Sequence, residues 1–245
     1  MKVFIPPLHL KKCRRKRRNL GLREGIAKGL SNIFSYGTDS RKTLYQLHGF
    51  VPVLPKDVLI KRWTSGLSSS CICIGFIYGL YFSIYNSLLS TPFAGPLSAL
   101  AISVIKLPIY NGIKVMQSGC SDSILGGIKY LSKSSSIYNG YFLSLCEDTI
   151  ELDLKNRLYN GFKRENGLYN ICVGTLSSVF ASAVTTPFDN VRLQMCVKNG
   201  KPLAIVKELI STRSLYKGVC LRMKSNVTKN IGFFVLFEIM CNLNL

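Results

Sequence analysis

The stretch TTPFDNVRLQM, Thr185 to Met195, decides the fold, because it sets Asp189 and Arg192 three residues apart behind Pro187 at the close of an apolar run. Leu168 to Phe188 carries no formal charge, so an acid and a base arrive together where a greasy helix turns polar. Fainter copies are YGTDSRKTLYQ (Tyr36 to Gln46) and LPIYNGIKVMQ (Leu107 to Gln117). Gly37, Pro108 and Pro187 hold the equivalent position, 71 and then 79 residues apart. A second signal keeps nearly the same beat. Gly66, Gly140 and Gly218 each follow an aromatic residue (Trp63, Tyr138, Tyr216) and lie 74 and 78 residues apart. Nineteen and twenty residues past each glycine stand Tyr85 with Asn86, Tyr159 with Asn160 and Phe237 with Glu238. Three diverged copies of one unit explain both rhythms. They divide the chain into a basic tail, residues 1–20, and units at 21–92, 93–166 and 167–245.

Composition points to lipid. The chain of 245 residues is 47% apolar yet carries a formal charge of +20. No Asp, Glu, Lys or Arg occurs from Thr64 to Ile105, enough for two helical spans around a turn at Ser90 to Pro96. Nine cysteines without a CxxC pair sit mostly alone in apolar runs, where cysteine acts as a small hydrophobe. With two histidines and no paired ligand spacing, neither a metal site nor a cofactor is expected. Lys11 to Arg18 is basic and lacks an acid, which suits a targeting signal, a nucleic-acid arm, a contact to anionic lipid or a solvated tail. It has no secretory core, since Pro6 and Pro7 interrupt Val3 to Leu10.

Small residues recur every four positions ahead of each motif: Gly21, Gly25, Gly29; Gly95, Ala99, Ser103; Gly174, Ser178, Ser182. Such faces let membrane helices approach closely. Each unit therefore reads as a small-faced helix, a loop with a short amphipathic helix, and a second helix past the glycine. The expected fold is all-α, with six transmembrane helices at 22–46, 67–88, 94–117, 141–162, 169–195 and 219–241. The fourth holds Glu147, Asp148, Glu151 and Asp153 and the sixth Arg222, Lys224 and Lys229. Charges at bilayer depth need partners or a wet interior, so either the bundle encloses water or these two segments are not spans. Lysines and arginines crowd the loops inside units, placing those loops on one side of the membrane, although Lys155, Arg157, Lys163 and Arg164 blur the pattern.

Three units, each with a proline-bearing helix ending in P-x-D-x-x-R/K, then aromatic, base and glycine, then a second helix, resemble the mitochondrial carrier family over residues 21 to 241. The third unit carries it best, in Pro187, Asp189, Arg192, Gln194, Tyr216, Lys217, Gly218, Arg222, Phe237 and Glu238. Unit one keeps Asp39, Lys42 and Gln46 with Gly37 for proline; unit two keeps Pro108 and Gln117, with Tyr110 and Ile113 at the charged positions. The resemblance implies a monomeric six-helix bundle of threefold pseudosymmetry in the mitochondrial inner membrane. It implies a small metabolite moved by alternating access, helix kinks at Pro108 and Pro187, and contacts to anionic lipid such as cardiolipin.

It also implies two gates. Asp39, Lys42, Asp189 and Arg192, braced by Gln46 and Gln117, would close the matrix side, where a cyclic arrangement permits one direct ion pair. Tyr85, Tyr159, Lys163, Phe237 and Glu238 would close the other, with Glu238 and Lys163 its one possible ion pair. Between them the family's substrate positions fall on Cys73, Ile74, Glu147, Asp148, Glu151, Ser225, Asn226 and Lys229. Glu147 and Glu151 are one turn apart with Asp148 adjacent, so all three can face one cavity, and Asp153 points elsewhere. An acidic wall opposite Lys229 and Arg222 suits an amino-acid-like or S-adenosylmethionine-like substrate. Alternatively, those acids pair with Lys155, Arg222 or Lys229 and set helix packing. No enzyme motif of the GxSxG, GxxxxGK[ST], HExxH or GxGxxG kind occurs, and no nucleic-acid recognition module. The remaining alternative is a degenerate carrier acting as a non-transporting scaffold or adaptor.

Overall fold

The computed structural model describes residues 20–51, 64, 66–88, 91, 94–133, 137–162, 164, 167–198 and 202–242. Among the described residues there are eight helices and no strand: α1 (Leu20–His48), α2 (Leu67–Ser87), α3 (Ala94–Ser118), α4 (Ile124–Lys133), α5 (Tyr141–Phe162), α6 (Gly167–Lys198), α7 (Pro202–Ser211) and α8 (Val219–Asn242). The six long ones begin and end within three residues of the ranges expected from the sequence. α1 packs on α2, α2 on α3, α3 on α5, α5 on α6, α6 on α8, and α8 returns to α1, so one chain closes a ring. The two short helices lie outside it, α4 against α3 and α7 against α6. The loop of the first unit, residues 52–63, lies outside the described residues. Pro108 and Pro187 sit inside α3 and α6, which run on for ten residues or more beyond them. Each proline deletes one intrahelical hydrogen bond, and Thr185 and Thr186 donate to the carbonyls of Ala181 and Ser182 in the turn before Pro187.

Among the described residues three helices are long and apolar enough to cross a membrane: Leu67–Ser87, Leu97–Ser118 and Tyr169–Lys198. α1 and α8 are not among them, yet both show one radial pattern. On α1, Leu22, Ile26, Leu30 and Ile33 are exposed while Ser31, Asn32 and Ser35 are buried. On α8, Ile231, Val235 and Ile239 are exposed while Arg222 and Ser225 are buried. α6 repeats it with Leu176 and Phe180 outside and Ser178, Ser182 and Asp189 inside. Apolar residues every three or four positions form one helical stripe. A water-soluble protein turns such stripes inward; here they face out.

Close approach holds the ring at two kinds of place. α1 and α2 cross on glycines: a Cβ added at Gly25 would stand 2.6 Å from the Gly75 carbonyl oxygen and 2.8 Å from the Gly79 Cα. Gly66, Gly140 and Gly218 open α2, α5 and α8 with φ of 76°, 78° and 79°, a left-handed conformation that costs any other residue about 1–2 kcal/mol. Each also abuts the first long helix of the next unit in the ring: Gly66 meets Met116, Gly140 meets Arg192, and Gly218 meets Gln46. The turns before two of them are clamped alike. Asn111 donates to the carbonyls of Ile137 and Asn139, and Asn190 to those of Leu215 and Lys217. The matching residue of the first unit is Ser40.

Gly25→Leu is expected to cost about 1–3 kcal/mol by overpacking a backbone contact that cannot yield. Gly161, with nothing within 4 Å of an added Cβ, should accept alanine without loss. Unfolding midpoints of the two purified variants in detergent check this; equal midpoints would show that the α1–α2 crossing is not tight.

Candidate functional site: a charged cavity within the helix ring

The residues ending α1, α3 and α6 meet around one carboxylate. Lys42 Nζ of α1 donates to Asp189 Oδ2 at 2.8 Å, and Gln46 Nε2 donates to the same oxygen at 3.2 Å. Lys114 Nζ of α3 lies 3.5 Å from Asp189 Oδ1, and Arg192, on Asp189's own helix, donates to that oxygen at 3.3 Å. Arg222 Nη1 of α8 stands 3.9 Å from Oδ2. Gln117 accepts from the Thr43 hydroxyl at 3.0 Å, tying α1 to α3, and Gln194 Nε2 donates to the Gln46 carbonyl. The direct pair expected between units one and three is thus Lys42 with Asp189. The base position of unit two is filled from next door, by Lys114 in place of Ile113, which packs with Tyr36 and Met116 in an apolar cluster. Asp39 does not join this cluster: its carboxylate is held by Lys229 and by the Ser225 hydroxyl, both on α8.

Behind this closure the ring encloses a cavity of about 190 Å³. Its wall holds five carboxylates (Asp39, Glu147, Asp148, Glu151, Asp189) and eight bases (Lys28, Lys42, Lys106, Lys114, Lys155, Arg192, Arg222, Lys229). α5 supplies three of the acids, and each is already engaged. Glu147 receives Arg222 at 2.7 Å and lies 3.3 Å from Arg192. Asp148 receives Lys106 at 2.6 Å, and Glu151 pairs with Lys155 and with Arg222 at 3.2 Å. Asp153 faces outward and pairs with Arg157. Arg222 therefore links the α5 wall, α8 and Asp189 in one network, with a further donation to Thr185 at 3.0 Å.

Of the residues expected to touch substrate, Ile74, Glu147, Asp148, Glu151, Asn226 and Lys229 line the cavity. Two do not. Cys73 packs against the Tyr36–Met116 apolar cluster, because that face of α2 meets α1 and α3; Ser225 is buried with its hydroxyl on Asp39. The expectation of open carboxylates facing Lys229 is also corrected, since Lys229 reaches Asp39 and the acids of α5 have their own bases. Sequence reading passed over Lys28, Lys106 and Lys114, each a base inside an otherwise uncharged turn of a helix. Lys28 Nζ lies over the rings of Tyr78 and Phe233, 5.4 and 5.3 Å from their centroids.

At the other end Tyr85 and Tyr159 are buried, and Tyr81 stacks on Tyr85 with ring centroids 6.2 Å apart. Lys163 lies outside the described residues, as do the side chains of Phe237 and Glu238.

Removing the acid that several bases share should hurt most. Asp189→Asn leaves Lys42, Lys114, Arg192 and Arg222 without it and is expected to destabilise by about 3–5 kcal/mol, as broken buried pairs do. Asp153→Asn, at an exposed pair, should cost under about 1 kcal/mol. Denaturant or thermal titration of both variants in detergent measures the difference, and equal losses would remove Asp189 from its central role.

No curated protein matches the chain. Residues 163–244 match the family model described as mitochondrial carrier protein, so the unit that holds Asp189, Arg192 and Arg222 is similar to that family.

Proposed function

We propose that all six long helices cross the mitochondrial inner membrane as three pseudo-symmetric repeats, residues 21–92, 93–166 and 167–245, and that the chain exchanges a small metabolite by alternating access. The observation that carries this reading is the Lys42–Asp189 pair, which joins two helices of different units across the floor of a cavity of about 190 Å³. Closing that end requires the pair; opening it requires breaking the pair, which an arriving substrate can offset by drawing on Arg192 or Arg222. The outward apolar stripes of α1 and α8 support spanning by helices whose average hydropathy conceals it. Because α8 closes on α1, the path lies inside one chain and a monomer suffices. Exposed Leu125 on α4 and Leu203 on α7 suit helices lying at the membrane surface, where basic loops would meet anionic lipid such as cardiolipin.

The charge count narrows the substrate. With eight bases against five acids, and every α5 acid paired internally, the cavity favours a ligand carrying carboxylate or phosphate. An amino-acid-like metabolite fits through its carboxylate. S-adenosylmethionine, with sulfonium and ammonium groups beside one carboxylate, fits less well, because the acids that would receive its positive charges are taken.

Proteoliposome uptake of labelled amino acids, small carboxylates, nucleotides and S-adenosylmethionine tests this. Saturable exchange of a carboxylate-bearing solute is expected, reduced about tenfold in Lys28→Ala, the value of one charge-assisted contact. Exchange confined to S-adenosylmethionine overturns the charge argument. No flux with any solute from correctly folded protein favours a non-transporting scaffold.

A further inference from the structure

Among the described side chains, Glu24 stands apart from the other inward acids of the bundle. Asp39, Glu147, Asp148, Glu151 and Asp189 each have a lysine or arginine partner. Glu24 is 1% exposed, its Oε2 has no hydrogen-bond partner, and no ion pair to it occurs among the described residues. The base best placed to serve it is Lys28, one helical turn on, but that ammonium is turned over Tyr78 and Phe233. Across from Glu24 is Tyr81 of α2, whose buried hydroxyl also lacks a partner.

An ionised carboxylate stripped of water and of cations costs several kcal/mol; the neutral acid costs far less. The packing around Glu24 is therefore that of a carboxylic acid. We propose that Glu24 is a proton-binding site at the end of the cavity away from Asp189, beside the Tyr81–Tyr85 stack. Fifteen residues separate it from Asp39, about 22 Å along α1 at the usual helical rise. On its own helix the nearest charged groups are Arg23 and Lys28, on α2 Tyr81 faces it, and Lys229 of α8 is held by Asp39. The bases of α3 and α6 are held by Asp148, Asp189 and Glu147. None neutralises Glu24. When that end of the ring opens to water the proton passes to solvent and the carboxylate becomes hydrated; when it closes a proton must be taken up. On the transport reading above, an anionic substrate would then travel with a proton.

Infrared difference spectroscopy of the purified full-length chain tests the site without any substrate. The carbonyl-stretch band of a neutral carboxylic acid is expected at neutral pH, lost in Glu24→Gln and retained in Asp148→Asn. If Glu24→Gln does not fold, the wild-type band decides: it must persist through neutral pH and disappear on alkalinisation. A wild-type spectrum without that band at neutral pH, or a band unchanged in folded Glu24→Gln, overturns the proposal and leaves the transport reading untouched.

Discussion

The bundle depends on one carboxylate holding several cations. Asp189 alone touches bases or amides from α1, α3, α6 and α8, and the contacts of Lys42, Gln46 and Lys114 cross from one unit of the chain to another, while those of Arg192 and Arg222 stay within the third. Burying an ion pair is expensive because both charges lose water, and replacing it with apolar packing is often as stable. Stability alone does not account for such a cluster. What a shared carboxylate provides is a contact that is strong while complete and weak once a partner leaves, since the remaining groups then face a low-dielectric wall uncompensated. That behaviour suits an end of a cavity that must be either closed or open, with few arrangements between.

The same logic explains how the helices face. A ring with Ser31, Asn32, Ser178 and Ser182 inside and Leu22, Ile72, Leu176 and Ile231 outside has no stable place in water. Exposing that much apolar surface forfeits the term that folds soluble domains. In lipid the exposed stripes cost nothing, and the small inner residues let backbones approach until dispersion and hydrogen bonds replace the missing hydrophobic drive. Gly25 lying against Gly75 and Gly79 is the extreme case.

Helix positions were legible in the sequence because the units repeat a local signal: a left-handed glycine at 66, 140 and 218 fixes where each second helix begins, whatever follows it. The outward apolar stripes of α1 and α8 were harder to read, since a window average mixes an apolar outer stripe with a polar inner one. The site was half legible. Glu147, Asp148 and Glu151 face the cavity because their spacing on one helix dictates it, but their partners come from other helices, and spacing says nothing about those. Lys114 shows why: a lysine one residue off the matching position, Ile113, is rotated about 100° around the helix, yet its four-carbon stem swings the ammonium back to Asp189. Ser225 and Cys73 fail in the opposite sense: they occupy matching positions on the backbone, but short side chains cannot reach past the neighbouring helix.

Loss of threefold regularity is itself informative. A perfect ring of three acids and three bases would close on itself and leave a neutral floor. Here Tyr110 and Ile113 replace the charged pair of the second unit, Asp39 turns to Lys229, and Asp189 is left to balance more cations than it can neutralise. The acids of α5 reduce the surplus from the side: Glu147, of the second unit, holds Arg192 and Arg222, which also lie 3.3 and 3.9 Å from Asp189. Floor and wall thus share their charges through Arg222. A ligand that took Arg222 from Glu147 would alter the balance at Asp189 in the same act, with no further moving part. On the transport reading proposed above, binding in the cavity and release of its floor would be coupled through a single guanidinium, which a fully symmetric ring, with each pair self-sufficient, could not achieve.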